Sequence, residues 1–240
     1  MKTIGLIGGM SWESSAEYYR LINEAVKERL GGLHSAQLLL YSVDFAAIER
    51  LQRSGDWDAA GAILADAARS LERGGADFLL LCTNTMHKVA DAITQSVSLP
   101  FFHIADPTAT AIRNAGIGTI GLLGTRFTME QEFYRGRLEG QYGLRVLVPD
   151  AEDREAIHRI IYDELCLGII REESRAEYRA IMARLVAQGA QGIILGCTEI
   201  TLLVDATDAT VPLFDTTRLH AEEAALLALT ETLPPVSSAY

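Results

Sequence analysis

Short apolar runs ending at glycine alternate along the chain with longer stretches of helical period. Thr3-Ile4-Gly5-Leu6-Ile7-Gly8 predicts a first buried strand. Gly8-Gly9-Met10-Ser11-Trp12-Glu13-Ser14 predicts a loop from which a helix capped by Ser14 runs to Leu30, where Gly31-Gly32 stops it. Residues 36–43 read as the next strand, followed by Asp44-Phe45 and a short helix carrying Glu49, Arg50 and Gln52. Asp56 to Gly74 predicts a helix with Ala60, Ile63, Leu64, Ala67, Ala68 and Leu71 on one apolar face. Phe78 to Cys82 follows as a buried strand that opens into Thr83-Asn84-Thr85-Met86-His87. Pro100-Phe101-Phe102-His103 reads as a short strand leading through Asp106-Pro107 into a helix that ends near Ala115.

The second half repeats this plan. It predicts a strand from Thr119 to Leu123, a loop Gly124-Thr125-Arg126-Phe127-Thr128, and a helix from Met129 to about Leu138. A strand from Leu144 to Val148, a helix from Glu152 to Leu167 and a helix from Ser174 to Gln188 come next. Ile157, Ile160, Ile161 and Leu165 form the core face of the first of these helices, and Cys166 is expected to pack there. Gly192-Ile193-Ile194-Leu195-Gly196-Cys197-Thr198-Glu199 is then a buried strand opening into a polar loop, and a C-terminal helix follows Asp215-Thr216-Thr217 and runs to about Leu233.

Two internal matches support a duplicated unit. Gly75 to Asn84 lies against Gly189 to Thr198 at an offset of 114 (189 minus 75), and Thr3 to Gly8 lies against Thr119 to Gly124 at 116 (119 minus 3). At the first register Cys197 faces Thr83 and not Cys82. Period-two alternation puts Cys82 and Thr83 on opposite faces of their strand, so Cys82 reads as a small core residue. The expected fold is α/β, with two pseudo-symmetric doubly wound parallel-sheet domains and the active site in the cleft between them. The first domain is expected over residues 1–104 plus 210–233, the second over 105–209, with 234–240 a frayed tail.

Composition narrows the function. The chain has 240 residues, 49% hydrophobic and 22% charged, as an ordinary globular protein has. Its net charge of −11 argues against nucleic-acid or anionic-membrane partners. Three cysteines without C-x-x-C spacing suggest neither zinc nor a disulfide framework, and point to a reducing compartment. The N-terminal apolar run is broken by glycines and followed at once by Ser11, Trp12 and Glu13, so no signal peptide is expected. No run reaches the roughly 18 apolar residues of a membrane helix, and a cytoplasmic protein is expected. The G-x-x-G-G spacing after the first strand departs from the dinucleotide fingerprint.

Loops that offer one thiol, several threonines, an asparagine and glycine N–H groups suit three chemistries. These are proton abstraction from a carbon acid by a thiolate, acyl transfer by a cysteine nucleophile with His87 or His220 as base, and carboxylate binding without turnover. Arg50 beside Gln52 is a candidate carboxylate clamp.

Gly-Cys-Thr-Glu-Ile at 196–200, Cys-Thr-Asn-Thr-Met-His at 82–87, the opening Gly-Gly-Met-Ser-Trp-Glu-Ser and Phe214-Asp215-Thr216-Thr217 resemble the aspartate/glutamate racemase superfamily over residues 1 to about 230. The resemblance implies a pyridoxal-phosphate-independent amino-acid racemase without cofactor or metal, usually a homodimer, in which two cysteines flank the substrate α-carbon. Here the first of those cysteines is replaced by Thr83. The resemblance therefore assigns Thr83 and Cys197 as the catalytic pair, with Cys197 a thiolate base of lowered pKa serving the L-enantiomer and turnover biased from L to D. It implies that Asn84, Thr85 and Thr198, with backbone N–H groups after Gly8 and Gly124, hold the α-carboxylate and ammonium. Met10, Ser11, Arg50, Gln52, Thr125 and Thr128 would line the side-chain end, with Glu199 among the substrate-binding residues where glutamate racemases tend to carry histidine. Arg50 favours an aspartate or glutamate substrate. Leu167 falls in a region where relatives can carry a second cation, so a broad-specificity racemase for neutral amino acids stands beside that reading, and a non-catalytic carboxylate-binding relative beside both.

Overall fold

The computed structural model describes residues 1–234. The tail expected at 234–240 lies outside the described residues from 235 onward. Elements follow in the order β1 (Ile4–Gly8), α1 (Trp12–Leu30), β2 (Leu38–Ser42), α2 (Phe45–Ser54), α3 (Trp57–Arg73), β3 (Phe78–Leu81), α4 (Ala90–Thr94), α5 (Ala105–Asn114) and β4 (Thr119–Gly124). Next come α6 (Arg126–Glu130), α7 (Glu132–Tyr142), β5 (Arg145–Leu147), α8 (Ala151–Asp163), α9 (Glu172–Ala187), β6 (Ile193–Gly196), α10 (Ile200–Leu203), β7 (Leu213–Asp215) and α11 (Thr216–Leu229). The chain divides into two compact units, Met1–Ile104 with His220 onward, and Ala105–Leu219.

The first unit has a parallel sheet of order β2-β1-β3. Both neighbours of β1 are reached through helices, as parallel pairing requires. Alternate residues go to opposite faces. Ile7, Leu79 and Leu81 pack with Leu64, Ala68 and Leu71 of α3. Ile4, Leu6, Phe78 and Leu80 pack with Tyr18, Leu21 and Ile22 of α1 and the alanine-rich face of α11. Small residues on α11, namely Ala221, Ala224, Ala225 and Ala228, let that helix lie close over the sheet. Gly9 has φ of 93° at the exit of β1, and a Cβ there would collide with the Val43 carbonyl, so only glycine fits this turn.

The second unit has a parallel sheet of order β5-β4-β6-β7. Helices α8 and α9 pack on β4, α5 on β7 and α7 on β5. Ile120, Leu122, Leu123, Ile193 and Ile194 are fully buried, as are Ile157 and Ile160 of α8 and Tyr178 and Ile181 of α9. A bidentate pair between Arg137 of α7 and Asp106 of α5, at 2.6 and 2.8 Å, joins two of the helices that cover this sheet.

Several expectations are corrected. Ser11, not Ser14, caps α1, because its Oγ accepts the Ser14 N–H at 3.3 Å. Residues 124–138 hold two helices and not a loop followed by one, since Thr125 already caps α6. The helix expected to reach Leu167 ends at Asp163 and continues as a single 3₁₀ turn over Leu165–Leu167, which leaves Cys166 half-buried and outside the core. Leu213–Asp215 pairs with Ile193–Leu195, so the second unit continues to Leu219, where residues 210–219 had been expected in the first.

Candidate active site

Each sheet presents its polar loops at the carboxyl ends of its parallel strands, where open α/β sheets place ligands. In the first unit these are the Gly8–Ser14 loop after β1, the start of α2 after β2, and Thr83–His87 after β3. In the second they are Thr125–Thr128 after β4, Cys197–Glu199 after β6, and Thr216-Thr217 after β7.

Strand register shows which residues are equivalent. Ile7 pairs with Leu81 in the first sheet, and Leu123 pairs with Leu195 in the second. One step further, Gly124 pairs with Gly196, and the Cys82 N–H donates to the Ile7 carbonyl at 2.9 Å. Cys82 is therefore the counterpart of Gly196, and Thr83 the counterpart of Cys197. Tight packing keeps Gly196 small: a Cβ there would sit 2.7 Å from the Leu123 carbonyl.

Cys82 is fully buried among Phe78, Leu80, Tyr18 and Ala221, and that desolvation pushes its thiol far above the usual range. It is a core residue. Thr83 is half-buried. Its carbonyl accepts a 2.7 Å hydrogen bond from Nδ1 of His87, whose Nε2 accepts from the Ile104 N–H at 3.2 Å. These two bonds define a neutral, Nδ1-protonated imidazole. His220 is likewise engaged at both nitrogens, by the Tyr18 hydroxyl at 2.8 Å and the Phe102 carbonyl at 2.9 Å. Both histidines are thus held by hydrogen bonds within the first unit.

Cys197 is half-buried, and its Sγ donates to Oε2 of Glu199 at 2.9 Å. Burial is the largest cause that raises the thiol well above its ordinary range, followed by the charge of Glu199 and the neighbouring Cys166. The direction is opposite to the expected lowering, because desolvation and a carboxylate beside the sulfur both disfavour the thiolate. Thr198 meets Thr217 hydroxyl to hydroxyl at 2.9 Å, and Thr216 Oγ1 donates to the Leu195 carbonyl at 3.0 Å, so the start of α11 holds the cysteine loop.

The two leading loops are built alike. Ser11 and Ser14 place their hydroxyls 3.3 Å apart at the start of α1, and Thr125 and Thr128 place theirs 3.2 Å apart at the start of α6. Met10 is buried in the first unit's core, and Asn84 and Thr85 are buried below Thr83. The N–H after Gly8, expected to face a substrate, belongs to Gly9 and donates to Ser15 Oγ at 2.7 Å. Arg50 and Gln52 do not form one clamp, because two residues along a helix turn by about 200°. Gln52 is buried with its amide 3.0 Å from Met86 Sδ, while Arg50 is exposed and enters no ion pair among the described residues. Leu167 is exposed.

Three residues beside Cys197 escaped the sequence reading. Thr216 and Thr217 carry no local signal of a role in the sequence, and pairing of β7 beside β6 is what brings them to the loop. Tyr178 reads as part of the apolar stripe of α9 with Ile181, Met182 and Leu185, yet its hydroxyl is buried without a hydrogen-bond partner among the described residues. Burial raises its pKa first, and the nearby Cys197, Glu177, Cys166 and Glu164 raise it further. Among the described residues no group of three or more His, Cys, Asp or Glu is arranged to hold a metal ion. No helix among them is long and apolar enough to cross a membrane.

The family profile described as Asp/Glu/Hydantoin racemase matches residues 7–224. A Yersinia pestis protein provisionally described as an Asp/Glu racemase is 62% identical, with a TM-score of 0.90 over 96% of this chain and 100% of that one. PH1733, an aspartate racemase homologue from Pyrococcus horikoshii OT3, is 35% identical, with a TM-score of 0.82 over 95% and 99% of the two chains. The broad specificity amino-acid racemase RacX of Bacillus subtilis (strain 168) is 25% identical over 228 residues, 91% of this chain and 95% of RacX.

Proposed function

The chain belongs to the Asp/Glu/hydantoin racemase family, a family of isomerases, and from that premise we propose that it interconverts L- and D-aspartate or glutamate without pyridoxal phosphate or metal. In this reading Cys197 removes the α-proton of the L-enantiomer and Thr83 returns one to the opposite face. The observation that carries it is the register equivalence of Thr83 and Cys197 at the ends of the strands beside β1 and β4. A threonine hydroxyl is far too weak an acid to be ionised in advance, but it can protonate a strongly basic carbanion. Turnover is therefore kinetically biased from L to D, while the equilibrium between enantiomers stays at unity.

Asn84, Thr85 and Thr198 would hold the amino-acid head group, with Ser11, Thr125 and Thr128 lining the side-chain end. Met10, Gln52 and Arg50 would meet its side chain, and the exposed guanidinium of Arg50 supports an acidic substrate. A second reading, broad specificity toward neutral amino acids, is favoured by the likeness to RacX and by apolar, exposed Leu167 in place of a second cation. Three free cysteines suit a reducing, cytoplasmic setting, and the protein is read as a homodimer by likeness to its family.

The test is α-proton exchange in deuterated water, followed by NMR without added cofactor. L- and D-aspartate, L- and D-glutamate and alanine are compared. Exchange from the acidic L-forms, abolished in Cys197→Ala, is expected. Exchange from alanine at a similar rate would shift the assignment to broad specificity. Binding without exchange would make the protein a carboxylate-binding relative.

A further inference from the structure

A threonine that must protonate a carbanion depends on aim, because so weak an acid gives up its proton only within hydrogen-bond reach of the carbon. A β-branched side chain is stiff about χ1, so the Thr83 hydroxyl goes where its backbone puts it. Both backbone polar groups of Thr83 are engaged. Its N–H donates to the Leu81 carbonyl at 2.9 Å, and its carbonyl accepts from Nδ1 of His87 at 2.7 Å. We propose that His87 is the positioning residue of Thr83: the ring fixes the peptide that follows the threonine and thereby aims the hydroxyl at the substrate α-carbon. The proposal rests on the racemase reading and adds to it a residue that acts through Thr83.

The far side of the ring shows what His87 is anchored to. Nε2 accepts the Ile104 N–H at 3.2 Å, and Ile104 is fully buried. The segment before Ile104 is fastened beside β3: the Leu79 N–H donates to the Pro100 carbonyl at 2.8 Å, and the Phe102 N–H donates to the Leu79 carbonyl at 3.1 Å. His220 holds the same segment, its Nε2 donating to the Phe102 carbonyl at 2.9 Å. Ile104 is the last residue of the first unit before the chain enters the second, and His220 is the first after it returns. The His87 ring is buried, with the His103 ring centroid at 4.3 Å and that of Phe101 at 5.6 Å, so it has no room to swing. Two hydrogen bonds through one rigid ring therefore join Thr83 to the segment that carries the chain out of the unit.

The second unit is built differently at this point. Thr201 stands where His87 does, 114 residues further on (201 minus 87). Its hydroxyl donates at 2.7 Å to the Thr198 carbonyl, whereas the Cys197 carbonyl accepts the Ile200 N–H at 3.2 Å. The cysteine thus rests on a backbone turn, and the threonine on a buried side chain. The side-chain tether belongs to the half whose proton donor is the weaker acid.

His87→Asn and His87→Gln separate the two bonds. Asparagine places its amide where Nδ1 stands and keeps the donor to Thr83, while glutamine places its amide where Nε2 stands and keeps only the acceptor for Ile104. The L-substrate that wild type accepts is followed in deuterated water. Cys197 takes the α-proton, and the C–H electron pair stays on carbon. A deuteron from Thr83 then gives the D-enantiomer, with solvent restoring the hydroxyl, whereas a deuteron returned from the exchanged Cys197 gives labelled L-substrate. The ratio of D-product to labelled L-substrate reports the aim of Thr83 and does not change with the amount of active protein. It should fall about tenfold in His87→Gln, the cost of a misplaced reacting group, with labelling of the L-substrate kept within about threefold. In His87→Asn the ratio should stay within about threefold of wild type. An unchanged ratio in His87→Gln, or an equal fall in both variants, would overturn the proposal, the latter in favour of a general structural role. Long-range proton–nitrogen NMR on histidine-labelled wild type tests it without any variant. It should find the His87 ring neutral with its proton on Nδ1; a proton on Nε2 alone would overturn the proposal, because that ring cannot donate to Thr83. Absence of exchange in wild type for every amino acid is a separate result: it would remove the racemase reading and this role with it.

Discussion

Cys82 and Thr83 are neighbours in sequence but occupy different environments: Cys82 is sealed in the core between β3, α1 and α11, and Thr83 lies half-buried at the strand end. A buried apolar setting keeps Cys82 a neutral thiol. Replacing it by alanine should cost about 1 kcal/mol of stability and leave exchange from the D-enantiomer at its wild-type rate. Thr83→Ala should abolish that exchange while the protein stays folded. The opposite pattern, activity lost in Cys82→Ala and kept in Thr83→Ala, would move the second proton donor to Cys82.

The Thr198–Thr217 contact gives the cysteine loop a second anchor besides its own strand. Thr217→Val keeps the volume and removes the hydroxyl, so its cost in stability should be about 1 kcal/mol, that of one neutral hydrogen bond. The loss in kcat should be larger in proportion, about tenfold, because small misplacement of a reacting group is expensive. Urea titration and racemisation rates measured on the same preparation would separate the two effects.

A pH effect on folding is expected at His158, apart from catalysis. Its Nδ1 accepts the Arg126 N–H at 3.3 Å, which only the neutral ring can do. Burial lowers its pKa, and the Arg126 charge adds to this. The stabilisation is therefore complete above the unfolded histidine value of 6.5 and is lost as pH falls below it through the lower folded value. Between about pH 7.5 and 5, the Tm of wild type should fall by about 2 °C more than that of His158→Gln, the equivalent of one hydrogen bond in a protein of this size. Equal falls would show that His158 is not the titrating group.

Much of the architecture was legible in the sequence. Glycine-ended apolar runs marked β1, β4 and β6, the apolar run Phe78–Cys82 marked β3, and the offset between halves together with period two already separated Thr83 from Cys82. Those signals are local, since strand alternation and turn chemistry act over a few residues. What tertiary structure alone decided lies in contacts between distant segments and in the aim of individual side chains. Pairing of Leu213–Asp215 with β6 assigned that segment to the second unit and brought Thr216 and Thr217 to the cysteine loop. Ser11 took the cap expected of Ser14 because α1 begins at Trp12. Cys166 left the core because α8 stops at Asp163. Glu199 turned toward Cys197 in a loop whose direction is set by packing around β6, and packing also buried the Tyr178 hydroxyl near the same sulfur. The sequence by itself determined which strands end in reactive loops, because that depends on neighbours in the chain. The protonation chemistry of those loops depends on desolvation and on carboxylate distance, which exist only once the chain has folded.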